Sequence, residues 1–218
     1  MWIAEIVPLS ATLFSLIYGL SHFFKKGKPL FLQSITMAMG CHALGSIYHL
    51  CQTLTSETLF EGFTPAYLGR IGFFLFFITA SYGQMDRIVD DGSRKIKPSR
   101  YIAIAAPIFA ALLYLPNALM DDLPLVTKVA VSLVWIPAMV SLYYNFKHAI
   151  IPDCDFGFIK AIKPYNFLAV GLGISELCCL TAWDYFYNAP LVITSVIFAI
   201  VCVLTILAAK KGADKWKI

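Results

Sequence analysis

The stretch that decides the fold is APLVITSVIFAIVCVLTILAAK, which runs from Ala189 to Lys210 and has no charged side chain before its last residue. A helix needs roughly 20 residues to cross about 30 Å of hydrocarbon, and this stretch is long enough to do so. An isolated strand would leave its backbone groups without partners in lipid. The stretch therefore predicts a membrane-spanning α-helix.

Six more stretches of similar length and polarity precede it in the chain. They are Trp2–Phe24, Pro29–Thr53, Pro65–Met85, Tyr101–Met120, Leu125–Phe146 and Ala161–Trp183. With Ala189–Lys210 they make seven spans, numbered here in chain order. The 218 residues are 59% hydrophobic and 14% charged, whereas soluble domains are about a quarter charged. We expect an all-α integral membrane protein, a seven-transmembrane helix bundle that forms a single domain over residues 1–218.

Basic residues mark one end of the predicted bundle. Fifteen of the 17 Lys and Arg residues flank the spans at that end, in the segments 25–28, 87–100, 147–163 and 210–217. The loops at the other end carry only acidic charges, from Glu57, Glu61, Asp121, Asp122 and Asp184. The positive-inside bias then predicts a multi-pass protein of the cell membrane, with its N-terminus outside and its C-terminus in the cytoplasm. Basic residues that flank spans, instead of forming one patch, argue against a nucleic-acid partner.

An internal repeat relates spans 1–3 to spans 5–7. The pattern S-L-x-Y-x-x-x-H at residues 15–22 recurs at residues 141–148, an offset of 126. Further matches at offsets of 127 or 128 pair Leu44-Gly45 with Leu172-Gly173, Leu50-Cys51 with Leu177-Cys178, and Asp86-Arg87 with Asp214-Lys215. They predict a 3+1+3 parallel repeat with halves 1–91 and 125–218 and a linker helix at 101–120. Such halves commonly build a central site between them in transporters.

This architecture is similar to that of the SWEET sugar-efflux family, and the rhodopsin-type bundle shares its N-outside topology. Pro8 and Pro137 fit the membrane-embedded prolines of the first family, but Pro29 and Pro164 lie at helix entrances. Residues 189–209 contain no lysine that would carry retinal. The chain is therefore assigned to neither family.

Ionisable side chains inside a span are costly and usually face a cavity or a partner. Here they concentrate in the halves of the spans nearer the acidic loops, which predicts a polar cavity that opens outward. Glu5 lies near the outer end of span 1. The residues proposed to bind a ligand are His42, His49, Arg70, Lys128, Glu176 and Asp184.

Most of these residues also have a purely structural interpretation. Glu5, Lys128 and Asp184 lie close enough to the membrane surface for their polar groups to reach water. Arg70 and Glu176 lie at similar depth, where a structural ion pair would lock span 3 to span 6. A single histidine such as His42 is often a hydrogen-bonded packing residue.

Span 2 carries two groups of residues that could support chemistry. Met37, Met39, Cys41 and His42 include soft ligands, but they point in different directions on a helix, so we expect no metal, haem or other cofactor. Ser46 and His49, at i and i+3, face each other and suggest a hydrolase pair. Serine on a transmembrane helix, here beside Gly45, more often serves close helix packing.

Asp86 and Asp90 continue span 3 past the membrane at i and i+4. They either pair with a basic loop, as an inward gate would, or form a solvated helix end.

Three functions follow from these features. The first is a transporter of a small solute, which needs a central site between two halves. The second is a ligand sensor that signals to a cytoplasmic partner. The third is an intramembrane lipid-modifying enzyme that uses His42, His49 and Glu176. The expected partners are the lipid bilayer and a small-molecule ligand, and a homo-oligomer is compatible with the sequence.

Overall fold

The computed structural model describes residues 2–55, 63–90, 92–119, 125–152, 157–185 and 189–215, and in these ranges all regular structure is helical. The elements are α1 (Trp2–Phe23), α2 (Leu30–Thr55), α3 (Pro65–Ile78), a π-helical segment (Thr79–Asp86), α4 (Arg87–Val89), α5 (Lys97–Ala103), α6 (Ala105–Leu119), α7 (Leu125–Ile150), α8 (Phe158–Tyr185) and α9 (Ala189–Lys215). Within these ranges, seven segments are long and apolar enough to cross a membrane. Span 3 combines α3 with the π-helical segment, and span 4 combines α5 with α6. The chain has the features of a multi-pass membrane protein.

Predicted spans 5 and 7 end before the polar last turns of the helices α7 and α9. Span 5 was expected to end at Phe146, but α7 continues to Ile150, and α9 continues past Lys210 to Lys215. Hydropathy falls wherever Lys or Asn appears, although lysine favours helix nearly as well as leucine. As a result, Lys147, expected in a loop, lies inside α7 and is only 3% exposed.

Six of the seven spans form a closed ring. Helix α1 packs on α2, α2 on α3, α3 on α7, α7 on α8, α8 on α9, and α9 again on α1. The fourth span lies outside this ring, where α6 packs against α7 and α8. Only 17% of the most apolar window of span 4 is buried, against 39% or more of the corresponding window in each of the other six spans. The ring therefore consists of the three spans before span 4 and the three after it.

Glycines bring α2 and α3 into close contact. A Cβ atom on Gly69 would lie 2.6 Å from the carbonyl oxygen of Cys41 and 2.6 Å from Cα of Gly45. Such small residues let helix backbones approach each other closely in a bilayer. Because Arg70 follows Gly69 directly, this crossing sets the position of Arg70 beside α2.

The two ends of the ring are named after the charges that the sequence places in their connecting segments. We call the end at which α1, α3, α7 and α9 begin the acidic end, and the opposite end, which carries the lysine-rich segments, the basic end. Large aromatic side chains fill the ring between the ends, and the fully buried ones include Phe73, Phe74, Trp135, Tyr165 and Phe198.

Candidate functional site

A cavity of about 40 Å³ lies within the acidic half of the ring, between α1, α2, α3, α8 and α9. Since a buried water needs roughly 10–15 Å³ on this measure, the cavity has room for about three waters or one very small solute. Its lining residues are Ala4, Glu5, Pro8, His42, Ser46, His49, Arg70, Glu176, Cys179, Leu191 and Ser195. Both triplets of spans contribute to it.

Glu176 is the most buried charged residue of the cavity, at 2% exposure. Its Oε1 accepts a hydrogen bond from Nε of Arg70 at 3.0 Å, and its Oε2 lies 3.0 Å from Nε2 of His42. A carboxylate at this depth needs such partners, because burying an unpaired charge costs several kcal/mol. The ion pair that the sequence suggested is thus present, and it also lines the cavity.

His42 connects Glu176 to a hydroxyl group. Its Nδ1 lies 3.3 Å from Oγ of Ser46, one helical turn further along α2. If Nε2–H donates to Glu176, then Nδ1 is an acceptor for the Ser46 O–H, so a neutral imidazole satisfies both contacts. The spacing had suggested His49 as the partner of Ser46, whereas the imidazole that the hydroxyl contacts is that of His42.

The imidazole of His42 is held between aromatic rings. It stacks on Phe198 at 4.7 Å and meets the edge of Phe73 at 5.3 Å, measured between ring centroids. Phe73 in turn packs on Phe74 and Phe77 at about 5 Å. These four phenylalanines form an apolar layer, called here the aromatic layer, between the cavity and the basic half of the ring.

Glu5 reaches the cavity from the first turn of α1. Both of its carboxylate oxygens are buried, and neither has a hydrogen-bond donor among the described residues. The positive end of the helix dipole favours a carboxylate in a first turn but does not replace a donor. The sequence suggested a side chain that reaches water, and the structure instead buries its carboxylate.

The ligand-binding candidates do not all meet in the cavity. His42, His49, Arg70 and Glu176 line it together. Lys128 lies in the first turn of α7, a helix that contributes no lining residue. The side chain of Asp184 lies outside the described part of the structure. Ser195 lines the cavity without having been singled out, since a small side chain in an apolar span carries no signal in a sequence.

A second charged cluster, the basic-end cluster, consists of Asp86, Asp90, Arg100, Lys147 and His148. Lys147 forms ion pairs with Asp86 and Asp90, the second at 3.1 Å. His148 Nε2 lies 2.8 Å from Asp86, and Arg100 binds Asp90 through both Nε and Nη2. The cluster ties the end of span 3 to α5 and α7. Of the two interpretations of Asp86 and Asp90, the pairing with basic groups is the one found.

Asp90 is held by more than one donor. The Arg100 guanidinium, the Lys147 ammonium and the backbone N–H of Gly92 hold the pKa of the Asp90 carboxyl far below its usual range. Gly92 takes a positive φ of 81°, which lets its N–H reach the Asp90 carboxylate at 3.1 Å. The Asp90 carboxylate therefore stays ionised at every physiological pH.

Neutral polar groups lie just behind the basic-end cluster. Ser81 donates to Oδ1 of Asn145 at 2.9 Å, and Gln84 donates to Ser34 at 3.3 Å. Ser81 and Gln84 belong to the π-helical segment, a type of helix that is rare and frequently found at functional sites. A polar layer thus adjoins the cluster on its membrane side.

Within the described ranges, no group of three His, Cys, Asp or Glu side chains is placed to hold a metal ion. The five cysteines that the structure describes are free thiols.

Comparisons with protein-family models, with curated proteins and with solved structures find no match for this chain.

Proposed function

We propose that the protein transports a small solute, which binds in the cavity and leaves through the basic end of the ring. The observation that carries this proposal is the layout of the two charged sites. A polar cavity lies toward one end, ion pairs close the other end, and the aromatic layer separates them. Alternating access requires one end closed while the site faces the other.

The basic-end cluster has the chemistry of a breakable gate. Its ion pairs join the end of span 3 to α7, which begins the second half of the ring. Each carboxylate has more than one basic partner, so contacts can be exchanged while the elements move apart. The Ser81–Asn145 pair behind it supplies polar groups along the same route.

Contacts at equivalent positions support the proposed 3+1+3 repeat. Tyr18 in span 1 accepts a hydrogen bond from Lys210 in span 7 at 3.0 Å. Tyr144 in span 5 packs against Tyr82 in span 3 at 4.9 Å between ring centroids. The offsets are 126 from Tyr18 to Tyr144 and 128 from Tyr82 to Lys210, so the repeat relates the two contacts to each other. Two matching halves could rock about a shared central site.

The charge bias assigns the direction. With the basic end in the cytoplasm, as the positive-inside bias predicts, the cavity faces outward and the basic-end cluster is the cytoplasmic gate of a cell-membrane protein.

Uptake into proteoliposomes tests the proposal. The probes are labelled methylammonium, glycine, acetate and glycerol, with protein-free liposomes as the background. We expect saturable uptake of at least one probe, lost in Glu176→Gln and kept in Cys51→Ser, an exposed position on α2. Binding of a probe without any uptake would reject transport and favour the ligand sensor.

A hydrolase is the second candidate because of one specific observation. Ser46, His42 and Glu176 are connected in the order nucleophile, base and carboxylate, which is the logic of a catalytic triad. A fluorophosphonate probe tests it, because such probes label activated serines covalently. Labelling that is lost in both Ser46→Ala and His42→Gln, but kept in Ser34→Ala, would establish the hydrolase. No labelling would reject it.

A further inference from the structure

We propose that the cavity binds a small monovalent cation of the ammonium or primary-amine class, with the Glu5 carboxylate as its anionic ligand. This inference rests on the proposed use of the cavity as the solute site.

The cavity is lined by more carboxylates than guanidinium groups. Its lining holds two carboxylates, Glu5 and Glu176, and one guanidinium, Arg70. Arg70 pairs with Glu176, so Glu5 is the carboxylate of the lining that forms no ion pair with a described side chain.

The two carboxylates of the cavity differ in their contacts. Both oxygens of Glu176 are already engaged, one by Arg70 and one by His42. Both oxygens of Glu5 are buried, with no donor among the described residues. A buried carboxylate without donors is costly, so it gains most from a cation that enters the cavity. Glu5 is therefore where the positive group of the solute binds.

The polar and apolar groups of the lining indicate which kind of cation fits. A primary ammonium has three N–H donors, and the lining offers hydroxyl acceptors at Ser46 and Ser195 besides Glu5. The apolar side chains of Ala4, Pro8 and Leu191 leave room for a short alkyl group. Calcium and magnesium need six or more oxygen ligands, whereas Glu5 is the one carboxylate without partners in the described lining. A volume of about 40 Å³ favours a small cation.

Calorimetric titration of the detergent-purified protein tests the inference. Methylammonium chloride is the probe, and sodium chloride, choline chloride and sodium acetate are the comparison titrants at constant ionic strength. Glu5→Gln removes the charge and keeps the shape. Asp214→Asn is the matched control, because Asp214 is a half-exposed carboxylate at the basic end.

We expect saturable binding of methylammonium to the wild type and to Asp214→Asn, weakened at least about tenfold in Glu5→Gln. Choline should not bind, because its trimethylammonium group has no N–H donor and is too large. Thermal unfolding gives an independent readout of folding: methylammonium should raise the Tm of the wild type and leave that of Glu5→Gln unchanged. Equal binding by Glu5→Gln, preferential binding of sodium or acetate, or no binding of methylammonium would each overturn the inference.

The uptake assay keeps the two proposals separate. Methylammonium binding through Glu5 without uptake would leave the cation site standing and reject transport. Uptake of glycerol or acetate that methylammonium does not inhibit would keep transport and overturn the cation site.

Discussion

Nε2 of His42 lies 3.0 Å from Oε2 of Glu176, a contact between residues 134 positions apart that joins the middle of α2 to α8. It connects the two halves of the ring at the bottom of the cavity. Because Glu176 also binds Arg70, the same carboxylate holds α2, α3 and α8 together. Changes at any of the three residues should therefore affect both the stability of the bundle and the shape of the cavity.

Arg70→Met should lower the free energy of unfolding by about 2–4 kcal/mol, because it leaves Glu176 with His42 as its remaining partner. Unfolding in mixed micelles with increasing SDS measures this effect. The double variant Arg70→Met/Glu176→Gln should recover much of the loss, since the uncompensated charge is gone. A double variant that loses the sum of the two single effects would show that the pair does not act as a unit.

Gly69→Ala should disrupt the crossing of α2 and α3, because its Cβ would meet backbone atoms of Cys41 and Gly45 at 2.6 Å. We expect a loss of at least about 2 kcal/mol in unfolding free energy and a loss of solute binding, because Arg70 moves with the helix. Gly171→Ala is the control, since its Cβ would make an ordinary contact with Val201 at 3.7 Å. That control should be neutral or slightly stabilising. If both variants behave alike, the close crossing is not what positions Arg70.

Lys147→Met should open the basic end, because it removes the ammonium group that pairs with both Asp86 and Asp90. Ser81 is fully buried behind the cluster, so a cysteine at that position reports on access. In a cysteine-free background, Ser81→Cys should react slowly with a membrane-impermeant maleimide and several-fold faster when combined with Lys147→Met. Lys147→Arg retains the charge and should stay slow. An unchanged rate in Lys147→Met would contradict the gate.

Stability should fall in acid partly through Asp90. The pKa of its carboxyl is depressed in the folded state by Arg100, so the folded state gains stability from the carboxylate at pH values above the usual Asp value of about 3.9. That gain is lost progressively as the pH falls below about 4 toward the depressed pKa. Unfolding measured between pH 6 and pH 3 should therefore show a smaller acid loss for Asp90→Asn than for the wild type. Asp214→Asn should retain the wild-type dependence, and an Asp90→Asn curve parallel to the wild type would contradict the prediction.

Reporter fusions test the orientation on which the outward cavity depends. Alkaline phosphatase is active after export, so a fusion after Lys95 should be inactive and a fusion after Asp122 active. The reverse pattern would place the cavity on the cytoplasmic side.

The positions of the spans were predictable because the bilayer imposes a rule that each segment obeys by itself. Roughly 20 apolar residues must form a helix wherever they occur. The rule fails at helix ends such as residues 146–150, where Lys147 looked like the start of a loop and is instead a buried residue of α7. Burial of a lysine there depends on Asp86 and Asp90, which lie far away in the chain, and no window around residue 147 contains them.

The contents of the cavity were predictable only in part. Depth along each span placed His49, Arg70 and Glu176 in the outer half and His42 near the middle, and the four side chains do line one cavity. The depth of a residue does not say which way its side chain points around the helix axis. The sequence therefore did not show that α7, which carries Lys128, contributes no residue to the lining of the cavity. The sequence by itself determined the seven helices and the unequal charge of their two ends, because hydrophobicity and charge act on each segment separately. Tertiary structure alone decided that His42 joins Ser46 to Glu176 and that the Glu5 carboxylate is buried without a donor among the described residues, because those contacts depend on how neighbouring helices are rotated and packed.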